Sequence, residues 1–249
     1  YPKEQTTIGD TVMSVKGLSH PTEFADIDFD LRKGEILGFY GLVGAGRSEV
    51  MQALFGLTPT SSGSMELNGK PFKPRTPGDA VDQGLVYVPE DRQHQGAILT
   101  LPIFQNITLP QLGGLSRSGF IDMAREYDVA REYATRLQLK ASSLSENVEN
   151  LSGGNQQKVV IGKWLATNPN VIIVDEPTKG IDIGSKAAVH KFMGELVAQG
   201  LSVIMVSSEL PEVMGMADRV IVMHEGRIAA RFERDDMTAE AIVTAATGA

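Results

Sequence analysis

Along the first forty residues apolar and polar side chains alternate or fall in short runs. Ile27, Phe29 and Leu31 flank Asp28 and Asp30, the period of a strand with one buried face. Val12 to Val15 and Ile36 to Tyr40 are apolar runs bounded by turn residues, and they read as strands too. After Gly46 the spacing changes: Val50, Met51, Leu54 and Phe55 recur at helical intervals, with Gly56 as a stop. The order is therefore strand, glycine loop, helix. Asn68-Gly69 predicts a hairpin turn, and Thr76-Pro77 opens a short helix that Gly84 closes before a strand at Leu85 to Val88. Further on, the run Val171 to Val174, a helix from about Ser185 to Ala198, Gly200 and the run Val203 to Val206 form a βαβ unit, which predicts a parallel sheet.

Between about Asp91 and Leu165 the texture is helical, as at Asp122 to Leu139, and no strand is predicted. This stretch is expected to be an inserted helical subdomain. Arg219 to Met223, Glu225-Gly226 and Arg227 to Phe232 predict a closing hairpin, followed by a short helix from Thr238. No internal repeat is visible.

Composition narrows the classes. At 42% apolar and 22% charged, the 249 residues can build a core, which excludes a disordered chain. Lys plus Arg number 23 against 31 for Asp plus Glu, a balance of −8 that argues against nucleic acid or an anionic membrane as the main partner. The absence of cysteine removes disulfides, zinc ribbons and thiol catalysis together. No apolar stretch approaches the roughly 20 residues that span a bilayer, and residues 1 to 20 are too polar for a secretory core. If membranes matter, another chain or segment is expected to cross them.

Three motifs carry candidate chemistry. Gly41-Leu42-Val43-Gly44-Ala45-Gly46-Arg47-Ser48 fits the phosphate-loop pattern except that Arg47 stands where lysine is expected. Its glycines let backbone N–H groups turn to phosphate oxygens, the following helix adds a positive end, and Ser48 can ligate Mg²⁺. Arginine keeps the charge but is a broad planar fork. Alone, the loop could also be a strand-to-helix turn that binds nothing. The apolar strand Val171 to Val174 ends in Asp175 and Glu176, which could reach a Mg²⁺ shell and polarise a water, or simply mark an exit from the sheet. Leu151-Ser152-Gly153-Gly154-Asn155-Gln156-Gln157 is the most telling: Ser152 is a natural N-cap, and the glycines leave N–H groups at a helix start to hold an anion. Two anion-holding helix starts and an acidic strand end in one chain make a plain capped helix an unsatisfactory account.

Together these motifs resemble those of the ABC ATPases, with Walker A at Gly41 to Ser48, the signature at Leu151 to Gln157 and Walker B at Val171 to Glu176. The resemblance covers nearly the whole chain. More narrowly, GLVGAGRSE, Val88-Pro89-Glu90-Asp91-Arg92, LSGGNQQKV and Val206 to Val213 are similar to the C-terminal cassette of the tandem ATPase subunit of bacterial monosaccharide importers, with Tyr1-Pro2 as inter-cassette linker. It implies an α/β fold of the P-loop NTPase type: a parallel-sheet core at about 1–90 and 166–249, an N-terminal antiparallel β subdomain, and a helical subdomain at about 91–165. It implies ATP on Gly41, Gly44, Ala45, Gly46, Arg47, Ser48 and Glu49, Mg²⁺ on Ser48, Asp175 and Glu90, and catalytic positions at Glu176 and Ser208. It further implies that Ser152, Gly153, Gly154, Asn155 and Gln156 face the nucleotide of a second cassette, fused N-terminally in the full-length protein. Transmembrane permease subunits, a periplasmic sugar-binding protein acting through them, and a peripheral place on the cytoplasmic face of the inner membrane follow from the same likeness. The segment Glu90 to Gln105 would receive a cytoplasmic helix of the membrane subunit.

The family pattern is broken at four places. Arg47 replaces the lysine, Glu90 stands at the glutamine position and Ser208 at the histidine position, and the adenine-stacking aromatic has only His20 or Phe24 as candidates. The substitutions converge on a Walker A site that binds nucleotide but hydrolyses it poorly, beside an intact signature. A regulatory cassette that holds nucleotide without hydrolysis is the alternative; a soluble ABC protein of DNA repair or translation lacks support, since no coiled coil or basic arm is present. His94, His190 and His224 stand too far apart for a metal triad and read mostly as surface positions, and the ten methionines read as core filler.

Overall fold

The computed structural model describes residues 7–249, so the linker expected at Tyr1-Pro2 lies outside the described residues. In chain order come β1 (Thr11–Ser19), β2 (Ile27–Arg32), β3 (Ile36–Tyr40), α1 (Arg47–Leu54), β4 (Ser62–Leu67), β5 (Lys70–Pro71), α2 (Pro77–Asp82) and β6 (Leu85–Val88). A π-helical turn at Arg92–Gly96 leads to α3 (Ile103–Thr108), α4 (Leu112–Leu115), β7 (Ser116–Arg117), β8 (Phe120–Ile121), α5 (Met123–Arg136) and α6 (Gly153–Leu165). The last stretch holds β9 (Val171–Asp175), α7 (Ile183–Ala198), β10 (Ser202–Ser207), α8 (Leu210–Met216), β11 (Arg219–His224), β12 (Arg227–Glu233) and α9 (Ala239–Thr247). The chain divides into two compact units. Residues 7–87, Asn170–Pro177 and His190–Ala249 form the first, and Val88–Pro169 with Thr178–Val189 the second.

The first unit carries a six-stranded sheet in the order β12-β11-β3-β10-β9-β6. β10 runs parallel to both β3 and β9, and β11 parallel to β3, while β12 closes the edge antiparallel. Every residue of β3, β9 and β10 is buried, as strands covered on both faces must be, and this is why they read as continuous apolar runs. A second sheet, β2-β1-β4-β5, is antiparallel throughout. There β2 keeps the alternation of a strand with one covered face: Ile27, Phe29 and Leu31 are buried and the residues between them are not. Thr76 caps α2 in a reciprocal capping box with Asp79, with Pro77 at the first helical position.

The parallel order decides where loops meet. β3, β10 and β9 are adjacent and point the same way, with Ser207 opposite Tyr40 and Val206 opposite Asp175. Their carboxyl ends therefore deliver Gly41, Ser207-Ser208 and Asp175-Glu176 to one edge of the sheet, where ligands bind in open α/β sheets.

In the second unit α3 packs between α5 and α6. Ile103, Phe104 and Ile107 are buried with Ala130, Tyr133, Val159 and Val160, and the Thr108 hydroxyl donates to buried Glu126 at 2.9 Å. The helical reading of this stretch missed the two-residue hairpin β7-β8, whose Ser118-Gly119 turn has both residues at positive φ. Two paired residues per strand leave no period to detect. Helix α8 also went unread, because it is only seven residues long.

Candidate functional site

On the first unit, β3 ends at Tyr40 and the chain turns through Gly41 to Gly46 into α1. Two glycines here are dictated by space. A Cβ at Gly41 would lie 2.6 Å from the Met223 carbonyl oxygen, and one at Gly46 would meet the Gly226 Cα at 3.0 Å in a backbone with φ of +91°. The Gly226 N–H donates to the Ala45 carbonyl at 3.0 Å, so the turn of the β11-β12 hairpin braces the loop. Gly46 occupies the N-cap of α1 without any side-chain cap, which leaves the helix's first N–H groups to an outside acceptor. Leu42, Val43 and Gly44 are exposed, Ser48 and Glu49 are half-buried, and Ala45 and Arg47 are buried.

The side chain of Arg47 turns inward. Its Nη1 lies 3.4 Å from Glu176 Oε1, with both side chains more than nine-tenths buried. The spacing is that of an ion pair, but the alignment is not that of a hydrogen bond, and Nη1 makes none. The Ser208 hydroxyl donates to Glu176 Oε2 at 3.1 Å. Glu176 itself has φ of +47°, a left-handed conformation that costs a non-glycine residue roughly 1 kcal/mol and that collects at functional sites. Its N–H is fastened to the Val206 carbonyl at 2.8 Å. Next to it, buried Asp175 accepts a hydrogen bond from the Tyr87 hydroxyl at 2.8 Å. Behind Ser208 lies a buried polar chain. Ser207 Oγ donates to Glu212 Oε2 at 2.5 Å and accepts the Glu209 N–H at 3.0 Å, and Glu212 Oε1 meets His190 Nε2 at 2.6 Å.

These positions revise two expectations. His190 is not a surface residue; it is 5% exposed, because α7 carries it against Glu212. Phe24 is 3% exposed and packs beside His20 with ring centroids 5.7 Å apart, so it offers no open face for an adenine. His20 is half-buried and accepts the N–H groups of Thr22 and Glu23 on its Nδ1.

On the second unit, Ser152 sits at the N-cap of α6, as its position predicted, but it makes no cap hydrogen bond to the helix. Its hydroxyl accepts from Asn155 Nδ2 at 3.0 Å, and Asn155 Oδ1 in turn takes the Lys140 N–H. The first bond of the helix runs from Gln156 N–H to Ser152 O, so the N–H groups of Gly153, Gly154 and Asn155 have no acceptor within the helix. Gln156 was expected to face nucleotide; instead it is buried, giving its amide to Val148 O and taking that of Gln93. Gly154 is hemmed in, since a Cβ there would come within 2.7 Å of Ser185 Oγ. Glu90 is engaged by Lys179 Nζ and must let it go before it can bind a cation.

The ABC transporter family model matches residues 24–179. The chain belongs to the ABC transporter family. As an ATP-binding domain of that family it is 65% identical over 248 residues to the ribose import ATP-binding protein RbsA 1 of Rhizobium meliloti (strain 1021), and 48% identical to RbsA 1 of Streptomyces coelicolor. Each match covers 100% of the chain and 49% of the relative, so the ABC domain spans about half the length of the curated relatives it matches. The fold is that of solved cassettes. A nucleotide-free ATP-binding cassette from an ABC transporter superposes with a TM-score of 0.79 at 19% identity, covering 94% of this chain and 98% of the other. A cassette in an ADP conformation gives 0.77 at 20% identity, covering 96% and 99%.

Three groups of this ABC domain escaped the sequence. Tyr87 precedes the last residue of β6, and only the sheet order, β6 beside β9, brings it to Asp175. Glu212 lies on the short α8, five residues after the Ser207 whose hydroxyl it accepts. Arg92, noticed only as part of a resemblance, reaches across its unit to the carbonyls of Lys179 and Gly180.

Proposed function

We propose that this chain is one of the paired cassettes of a bacterial sugar importer, and that it contributes chiefly through its signature to a nucleotide held by the other cassette. Its own phosphate loop binds ATP and turns it over slowly. The observation that carries this reading is the buried Arg47–Glu176 pair. The cation meant for the β- and γ-phosphates is held by the carboxylate meant to accept a proton from the attacking water. A paired carboxylate is a weak base, and a guanidinium must abandon it before reaching phosphate.

ATP would enter with its phosphates on the N–H groups of the Gly41–Ser48 loop and the start of α1. Arg47 would swing to the phosphates and free Glu176, with Ser208 retaining its Oε2. Oxygen donors suit a hard cation, and Ser48 and Asp175 on this unit are the candidates to hold Mg²⁺, which when bound would neutralise phosphate charge. Among the described residues no cluster of three or more His, Asp or Glu side chains could hold a metal ion. On the second unit, the free N–H groups of α6 and the Ser152 hydroxyl are preorganised donors for charge developing on a partner's γ-phosphate.

Ribose is the cargo supported by the relatives' names, and the half-length match supports a second cassette on the same polypeptide. No helix among the described residues is long and apolar enough to cross a membrane. Permease subunits would supply the path, with the cassette on the cytoplasmic face beneath them, Glu90 to Gln105 receiving a permease helix, and a periplasmic binding protein delivering the sugar.

The Arg47–Glu176 pair also favours a second reading, a regulatory cassette that holds nucleotide and never hydrolyses it. Nucleotide binding and ATPase activity, measured for the domain alone and with its partner cassette, separate the two. Slow turnover alone and a large gain on pairing are expected. Robust cooperative hydrolysis by the isolated domain would overturn the main reading, and a pair whose rate does not depend on this chain's signature would favour the regulatory one.

A further inference from the structure

Resting on the role in trans proposed above, the geometry points to Arg92 as a positioning residue of the signature site, fixing the loop after Walker B against the start of α6 and placing a positive charge there. All the groups involved lie within the second unit. Arg92 Nη1 donates to the Lys179 carbonyl at 3.0 Å and Nη2 to the Gly180 carbonyl at 3.3 Å. A planar fork is suited to gripping two successive carbonyls, which a single ammonium is not. The guanidinium lies in a slot between two glycines. A Cβ on Gly153, the first residue of α6, would come within 2.8 Å of Nη2, and one on Gly180 would be 3.8 Å away. The side chain thus ties the segment following Glu90, the loop at 179–180 and the signature helix into one body.

Electrostatics points outward from this slot. A cation beside the positive end of a helix is unfavourable, and natural chains place acids there instead. Among the described residues no carboxylate pairs with Arg92; nearby Glu90 is taken by Lys179, and Asp91 caps the π-helical turn through the N–H groups of Gln93 and His94. Arg92 Nε is buried without a hydrogen-bond partner. An uncompensated guanidinium beside uncapped helix N–H groups gains its counter-charge when an anion is seated on α6, and a partner's γ-phosphate is an anion of that kind. Arg92 need not touch it. The Gly180 carbonyl oxygen would lie 3.6 Å from a Cβ on Gly153, so by donating to the 179–180 carbonyls Arg92 offsets their negative ends beside the helix start.

The test uses the full-length protein assembled with its membrane subunits, and reads kcat and KM for ATP together with nucleotide binding at this chain's own phosphate loop. Arg92→Ala should lower kcat at least tenfold while KM and local binding stay within twofold. Arg92→Lys, which keeps the charge but loses the fork, should fall between it and wild type with an unchanged melting temperature. Ser152→Asp is the reference that should abolish turnover. If Ser152→Asp is inactive while Arg92→Ala or a well-folded Arg92→Lys turns over like wild type, the assignment of Arg92 is wrong and the trans reading stands. If Ser152→Asp is fully active, the trans reading falls and the role of Arg92 with it. A loss in Arg92→Ala that appears as raised KM rather than lowered kcat also overturns the positioning role.

Discussion

Glu176→Gln is the perturbation that bears most directly on the buried pair in the phosphate site. Two unit charges 3.4 Å apart attract by about 5 kcal/mol at an effective dielectric near 20. Desolvation of both groups offsets much of this, and removing one partner of a buried pair typically costs about 3–5 kcal/mol through the charge left behind. The pair here lacks an aligned hydrogen bond, which sets the loss below that range, at about 2 kcal/mol. For a chain of 249 residues that lowers the melting temperature by roughly 4–8 °C. Nucleotide binding should move the other way, because ADP no longer has to break the pair to reach Arg47; about 2 kcal/mol is roughly a 30-fold gain in affinity. Thermal denaturation and ADP titration of Glu176→Gln, Arg47→Met and the double variant form a cycle. A coupling of about 1.5 kcal/mol or more is expected in the nucleotide-free protein, shrinking when ADP is saturating. Additivity within about 0.5 kcal/mol, or unchanged ADP affinity in Glu176→Gln, would refute the reasoning.

Other positions give sharper single tests. Arg47→Lys combined with Ser208→His should raise turnover of the isolated chain in a steady-state ATPase assay, and no gain would place the limiting defect elsewhere. Burial brings Lys163 down to about 8, beneath the ring of Trp164 and bonded to the Gly96 carbonyl. The unfolded chain keeps that proton to about 10.4, so between these values it binds more protons than the folded one and stability rises with pH. The stability advantage of Lys163→Met over wild type should therefore shrink by about 2 kcal/mol between pH 7 and 10 in urea unfolding, and a pH-independent difference would contradict the assignment. Glu212→Ala strips Ser207 and His190 of their shared acceptor and should cost about 2–3 kcal/mol, read from the urea midpoint; a change under about 0.5 would mean the chain behind Ser208 is incidental.

Much of this was legible in the sequence for identifiable reasons. β3, β9 and β10 are covered on both faces, so their apolar runs and the glycines between them marked a parallel sheet, and strands so placed bring Gly41, Asp175-Glu176 and Ser208 to one edge. The departures at Arg47 and Ser208 were visible as letters, but their meeting on the two oxygens of Glu176 was not. It depends on the rotamer of Arg47 and the left-handed turn at Glu176, neither of which leaves a periodic trace. His190 was misread because one histidine in a long helix carries no sign of a partner 22 residues away. Gln156 was misassigned by its place in the signature, although the helical period puts it on the inward face with Val159 and Val160. Ser185 packs against Gly154, a contact that no spacing in the sequence shows. Ser152, exposed at the helix start, is for that reason the better site to perturb.

Steady-state ATPase activity of the reconstituted transporter, compared between Ser152→Asp and Arg47→Ala in this cassette, tests the central claim most directly. Ser152→Asp sets a negative charge against the phosphate of the partner's nucleotide, and it should abolish turnover while this chain still binds nucleotide. Arg47→Ala should weaken local binding and leave most of the turnover in place. If Arg47→Ala is the more damaging of the two, the productive site is this chain's own phosphate loop and the account is wrong.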